Sequence, residues 1–275
     1  MDIDDFRYMW RGKAIRSLSK EQSAWLAPID HRKEPRERAL LLLHGFSSSP
    51  AVYRELMPTF SRLYDAVLCP ALPGHATHLA AFAKVEAHEW VHAAEEACEA
   101  LIKDYPKVDV MGLSLGGLLA CHLANRFSLH HLYLLAPALS LQLNIPLAIT
   151  LAKLLRTLGF KTLRNRAGNL RTNRAAEIAY RHLPIATIIE ILTLIKEFKF
   201  SPPKCPVDVF LGAYDEVVDS HEVEKYFDKL SNVDIHWLQN SAHILPLDGD
   251  IDRIIARLKQ NSKKENPILS QENAS

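Results

Sequence analysis

Short unbroken apolar runs alternate along the chain with longer segments in which apolar residues recur every three or four positions. The runs are Ala39-Leu40-Leu41-Leu42-Leu43, Ala66-Val67-Leu68-Cys69, Val108-Asp109-Val110-Met111, Leu132-Tyr133-Leu134-Leu135-Ala136, Val207-Asp208-Val209-Phe210-Leu211 and Asp234-Ile235-His236-Trp237-Leu238. A run apolar at successive positions suits a strand covered on both faces, as in a parallel sheet. Helical spacing fills roughly 50–63, 86–104, 115–127, 221–230 and 250–259 between them. Strands alternating with helices predict an α/β fold with a mostly parallel central sheet flanked by helices.

One block breaks the alternation. From about 140 to 200 the pattern reads as helical only, with helices expected over Ile145–Leu158 and Ile185–Phe198. Such an excursion between two sheet strands reads as a helical cap inserted over the sheet edge. Pro202-Pro203 and Pro206 mark the return to the sheet, since proline stops helices. The expected organisation is an N-terminal segment 1–38, a core made of 39–139 and 201–260, the cap 140–200, and a disordered tail 261–275 rich in Asn, Ser, Lys and Glu.

Composition narrows the class. Of the 275 residues 48% are hydrophobic and 24% charged, and the formal net charge is +1. There is ample apolar surface for a core, so the chain as a whole is not disordered. A near-neutral total argues against a dedicated nucleic-acid binder. Cys69, Cys98, Cys121 and Cys205 form no CxxC pair and are too sparse for a disulfide scaffold, so buried free thiols in a reducing, cytoplasmic setting are expected. The acidic start Met1-Asp2-Ile3-Asp4-Asp5 lacks the apolar region of a secretory signal. Leu129 to Ala152 carries no acid or base, but Pro137 and Pro146 interrupt it, so it reads as a buried strand leading into an apolar helix rather than a membrane span.

The chemistry-bearing signal is Gly112-Leu113-Ser114-Leu115-Gly116-Gly117, after an apolar strand and opening an apolar helix. In that context G-x-S-x-G places a serine on a sharp strand-to-helix turn. The neighbours two residues either side come too close for a Cβ, hence Gly112 and Gly116. The helix after Ser114 points free N–H groups at the reaction centre. An oxyanion needs two N–H donors. Leu115 supplies one, and Phe46, in His44-Gly45-Phe46 after the strand at 39–43, is the best candidate for the other.

A serine hydroxyl needs a base. Of 13 histidines, His243 follows the last strand and precedes the final helix, where a loop would bring its ring over the sheet's C-terminal edge. The carboxylate that orients such a ring should follow the strand at 207–211. Asp215 is placed for it, with Asp219 and Glu216 as rivals, whereas Asp208 lies inside the strand and would face the wrong way. The order Ser114, Asp215, His243 is that of α/β-hydrolases.

At this point the chain resembles the α/β-hydrolase superfamily, specifically its small bacterial carboxylesterases and monoacylglycerol-lipase-like members. The resemblance spans about 39–260 and rests on His44-Gly45-Phe46, Leu72-Pro73-Gly74-His75, Gly112–Gly117, Gly212-Ala213-Tyr214-Asp215 and the segment from Leu238 to Asp248 around Ser241-Ala242-His243. Ala76 and Ala242 stand where that branch usually has glycine, so an altered loop is expected there. The resemblance implies carboxylic ester hydrolysis through an acyl-enzyme, with no metal or organic cofactor. It implies a small-molecule ester with an apolar acyl group as substrate; a thioesterase or lysophospholipase would keep the same triad, and a non-catalytic receptor would not need it. Apolar cap helices suit an acyl chain. No Asp or Glu occurs from Val110 to Ala176, while Lys153, Arg156, Lys161, Arg164, Arg166, Arg171 and Arg174 do. If exposed together they could meet an anionic membrane surface or a phosphate-bearing acyl donor. The sequence leaves the oligomeric state open.

Overall fold

The computed structural model describes residues 2–11, 14–166 and 168–265. Its strands are β1 (Phe6–Trp10), β2 (Ala14–Ser17), β3 (Ile29–Arg32), β4 (Arg38–Leu43), β5 (Ala66–Cys69), β6 (Lys107–Leu113), β7 (His131–Leu135), β8 (Thr162–Arg164), β9 (Glu177–Tyr180), β10 (His182–Pro184), β11 (Val207–Gly212) and β12 (Val233–Leu238). The helices are α1 (Lys20–Ser23), α2 (Met57–Leu63), α3 (Leu79–Phe82), α4 (Ala87–Asp104), α5 (Leu115–Arg126), α6 (Ile145–Thr157), α7 (Ile185–Glu197), α8 (Ser220–Glu224) and α9 (Ile251–Glu265).

The described residues form a seven-stranded sheet in the order β12-β11-β7-β6-β4-β5-β3. Every neighbouring pair is parallel except β3 with β5. The strands that sequence reasoning placed are all there. Ala39 to Leu43 in β4 are fully buried because one apolar layer covers each face of the sheet. Burying a Leu side chain contributes roughly 1.5–3 kcal/mol, so this central run is a large part of what holds the sheet's middle. A parallel sheet aligns its strands' C-terminal ends along one edge, and the loops that leave that edge build the site.

Four expectations need correction. β3 lies within the 1–38 segment but joins the central sheet, because an antiparallel edge strand needs no crossover helix. The segment 140–200 is not helical only. It contains α6 and α7 but also β8 and β10, which pair with each other, and β9, which pairs with β1. These strands are three or four residues long, too short to show a period of two. The helix expected over 221–230 shrinks to α8, while that expected over 250–259 lengthens to Glu265. The 261–275 tail is therefore helical at its start. Asn261 and Ser262 are buried, and 266–275 lie outside the described residues. No helix among the described residues is long and apolar enough to cross a membrane.

Candidate active site

Ser114 sits between β6 and α5 with φ 55° and ψ −114°, a backbone conformation that L side chains rarely adopt. Four backbone hydrogen bonds hold it there. Its N–H donates to Leu135 O at 3.0 Å, and its carbonyl accepts from Gly117, Leu118 and Ala138 at 2.9–3.1 Å. The turn is possible only because its neighbours lack side chains. A Cβ on Gly112 would stand 2.1 Å from Gly116 O, and one on Gly116 would stand 2.0 Å from Leu43 O.

β11 and β12 end side by side, and the loops beyond them bring Asp215 and His243 together. His243 Nδ1 lies 2.8 Å from Asp215 Oδ2, with both side chains buried. Asp215 Oδ1 accepts from the Val217 and Val218 N–H groups, each at 2.8 Å, which locks the carboxylate. The rivals have other situations: Asp219 caps α8 by accepting from Glu222 N, and Glu216 is exposed. Burial alone would lower the His243 pKa. The Asp215 charge and hydrogen bond outweigh it and raise the value above the ordinary histidine range, with Glu177 adding to the effect. Ser114 and His243 line the same cavity of about 450 Å³.

The loop after β4 closes the other side. Among the described residues neither the Phe46 N–H nor the Leu115 N–H donates to a protein acceptor. Two buried histidines brace this loop. His44 Nδ1 donates to Gly45 O at 3.0 Å, so its Nε2 is free to accept from Leu72 N at 3.0 Å. His75 Nδ1 donates to Pro73 O at 3.1 Å, and its Nε2 accepts from Ser47 N at 3.2 Å. Each ring needs one bare nitrogen for this, hence the neutral form. Burial supplies it, pushing His44 down to about 4 and His75 well below its ordinary value. The Pro73-Gly74-His75 motif therefore serves to hold the Phe46 loop. Ala76 takes φ 55°, a conformation that a glycine would adopt without strain. Ala242 is not among the positive-φ residues, so a methyl group fits there.

Sequence reasoning missed several positioning residues. Asn169, from the 140–200 segment, accepts from His243 N through both its side-chain and backbone oxygens at 3.0 and 3.1 Å, and its Oδ1 also accepts from Glu216 N. It thus clamps both loops that carry the Asp–His pair. Asp248 accepts from Ala242 N at 2.8 Å and from Arg171 and Thr172 N at 2.7 and 2.8 Å. Glu177, on β9, is buried in the same cavity and accepts from Gly168 N at 2.7 Å; burial raises its pKa. Asn169 and Glu177 lie in no motif; Asp248 closes the segment that resembles the family's histidine loop, but only the folded contacts reveal what it holds.

Behind Ser114 a cavity of about 400 Å³ runs between α6, α7 and the sheet edge, walled by side chains such as Leu141, Ala148, Leu155, Ile188, Ile191 and Ile195. The basic residues have different local settings. Arg174 pairs with Asp252, Lys153 and Arg156 lie on α6, and Arg164, Arg166 and Arg171 gather on the His243 side.

A parallel sheet, a strained serine before α5 and an Asp–His pair at the same edge are the features of one large group of enzymes. Residues 40–257 match the alpha/beta hydrolase family, and the chain belongs to it. A thermostable monoacylglycerol lipase from Bacillus sp. (strain H-257) is 28% identical over 231 residues, 79% of this chain and 87% of that protein. A structure reported with LipS and LipT, two metagenome-derived lipolytic enzymes, superposes with a TM-score of 0.79 at 26% identity, covering 87% of this chain and 98% of the other. The monoacylglycerol lipase of Paleococcus ferrophilus superposes at 0.64 with 18% identity over 85% of this chain and 98% of its own, a likeness of fold alone.

Proposed function

We propose that the protein is a serine hydrolase that cleaves carboxylic esters of short to medium acyl chains, of the carboxylesterase or monoacylglycerol lipase type. The observation that carries this reading is the strained Ser114 opening into the same cavity as a His243 ring held by Asp215. The lipolytic relatives support it.

Ser114 Oγ attacks the ester carbonyl while His243 takes its proton through Nε2, since Nδ1 is committed to Asp215. Asp215 fixes the tautomer and stabilises the imidazolium. The Phe46 and Leu115 N–H groups receive the oxyanion, each worth about 3–4 kcal/mol where such donors have been removed. The C–O bond of the leaving alcohol breaks as His243 protonates it. A water activated by the same ring then cleaves the acyl-enzyme and releases the acid.

The apolar cavity behind Ser114 takes the acyl chain, and residues 140–200 act as the cap that keeps it dry. Leu147, Leu151 and Leu154 on α6 and Leu158 just past its end are each more than half exposed and recur at helical spacing. We assign this stripe, flanked by Lys153 and Arg156, to a weak contact with an anionic lipid surface. The four buried thiols fit a reducing, cytoplasmic compartment.

A fluorophosphonate probe tests the reading directly. It is expected to label Ser114 in the folded protein, and Ser114→Ala is expected to abolish labelling and to reduce nitrophenyl ester hydrolysis by orders of magnitude. Absence of labelling in folded protein, or near-normal turnover by the variant, would sink it.

A further inference from the structure

We propose that the leaving group of the physiological substrate carries a phosphate, so that the chain hydrolyses an acyl ester or thioester of a phosphorylated alcohol or thiol. This rests on the ester-hydrolase reading and adds the chemistry of the group that departs.

The acyl chain has an apolar cavity on one side of Ser114. His243 must hand a proton to the leaving atom, so the leaving group lies on the ring's side. That side is built differently. The cavity holding Ser114 and His243 has Arg164, Asn165, Arg166 and Asn169 among its lining residues. It shares Arg166, Gly168, Asn169 and Val217 with a second cleft of about 460 Å³, which adds Arg11, Arg171, Tyr214 and Glu216. The two adjoining cavities are together lined by four arginines, Arg11, Arg164, Arg166 and Arg171.

None of Arg11, Arg164, Arg166 and Arg171 has a carboxylate partner among the described residues, in contrast to Arg174 beside Asp252. Arg171 is nevertheless held: its guanidinium lies 4.1 Å from the Tyr214 ring centre, and its backbone N–H donates to Asp248. A positioned guanidinium gives up little freedom on binding and offers a planar fork matched to phosphate. The acidic groups lining the two cavities are Glu216 in the cleft and the buried Glu177 in the Ser114 cavity, so cations outnumber them two to one. The formal charge of the whole chain is only +1, so the excess is local to this exit. A neutral polyol would make no use of four cations, whereas a phosphate would.

The chemistry balances without a further reactant than water. Ser114 Oγ bonds to the acyl carbon, the bond from that carbon to the leaving oxygen or sulfur breaks, and the serine proton passes through His243 to the departing atom. Water then returns the acyl group as a carboxylic acid.

The test compares three octanoyl substrates at monomeric concentrations: octanoylglycerol 3-phosphate, octanoyl-CoA and monooctanoylglycerol. The expected result is a kcat/KM for one phosphorylated substrate at least about tenfold above that of the neutral one, shrinking as salt rises towards 1 M because the charges are screened. Which of the two leads identifies the source of the phosphate. An Arg166→Gln, Arg171→Gln double variant should lower the ratio of phosphorylated to neutral turnover by a similar factor. In parallel, the Ser114→Ala protein should bind octanoylglycerol 3-phosphate more tightly than monooctanoylglycerol by calorimetry, which decides the matter if the double variant does not fold. Equal, salt-insensitive rates and equal binding would overturn the proposal while leaving the hydrolase reading intact. Tighter binding of the phosphorylated ester with no hydrolysis of any ester would uphold the phosphate site and remove the hydrolase reading.

Discussion

The backbone strain at Ser114 can be measured by removing its cause. Ser114 holds φ 55° and ψ −114°, and four backbone hydrogen bonds keep it there whatever its side chain. A non-glycine residue forced into such a region costs on the order of 1–3 kcal/mol. Ser114→Ala keeps a Cβ and so keeps the strain. Ser114→Gly removes it, but a glycine gains freedom in the unfolded chain, which offsets roughly 0.4–1 kcal/mol. The packing lost with the Cβ is small, since its neighbour across the turn is Gly45, where a built Cβ would stand 3.4 Å from Ser114 Cβ. The net expectation is that the glycine variant is more stable than the alanine variant by about 0.5–2 kcal/mol. In a chain of this size that corresponds to roughly 1–8 °C in Tm. Both variants should be inactive, so activity cannot bias the comparison. Urea unfolding of the two proteins side by side gives the difference. A glycine variant less stable than the alanine variant would refute the reasoning: the turn would then not be strained, and its geometry would need another explanation.

Two further perturbations separate the roles of the buried carboxylates. Asp215→Asn should lower kcat by about 10⁴-fold, because the ring loses its tautomer and the imidazolium its counter-charge. In the wild type kcat/KM should rise with pH through a midpoint above the ordinary histidine value of 6.5, since Asp215 holds His243 protonated and only the neutral ring can take the serine proton; the variant's residual activity should show that midpoint moved down, and an unmoved one would count against the assignment. Asp208, at the other end of β11, is buried, and its pKa is lowered below the usual 3.8: burial would raise it, but hydrogen bonds from His131, His236 and Asn261 and the Arg257 charge prevail. Its contribution is therefore complete above the unfolded value and fades as pH falls through the folded one. Asp208→Asn should destabilise the protein at pH 7 by about 3–5 kcal/mol, the range for breaking a buried pair, with a smaller gap from wild type near pH 3 by denaturant unfolding.

The central sheet was legible because β4, β6, β7 and β11 are buried on both faces, and such strands write themselves as apolar runs. Ser114 was legible because its turn demands glycine at two fixed offsets, a requirement that GxSxG records directly. Asp215 could be separated from Asp219 and Glu216 only by its distance from a strand end; the folded chain explains the choice, since its two oxygens are already divided between His243 and two backbone N–H groups. The 140–200 segment was less legible. β8 and β10 pair with each other, and β9 takes its partner from β1, 172 residues away in sequence at the pairing of Arg7 with Ala179, so nothing local announces them. Asn169 is illegible for the same reason: an asparagine in an irregular stretch looks like any turn residue until the His243 loop lands on it.

The two ends of β11 hold the same pair of residue types and do different things with them. At its start Asp208 receives His131, His236, Arg257 and Asn261 within 2.6–2.9 Å, so every lone-pair direction of the carboxylate is taken and each partner is committed to structure. Just past its end Asp215 gives one oxygen to the backbone and the other to a single ring, whose far nitrogen is left facing a cavity. The difference follows from strand polarity. In a parallel sheet the helices begin at the C-terminal edge, so free N–H groups such as that of Leu115 gather there and can receive an oxyanion. Asp208 lies at the opposite end of β11, where its contacts with His131 and His236 serve the packing of the sheet. An Asp–His contact is thus not distinctive of the candidate site; what sets the upper pair apart is that it lines one cavity with the strained Ser114 at the start of α5.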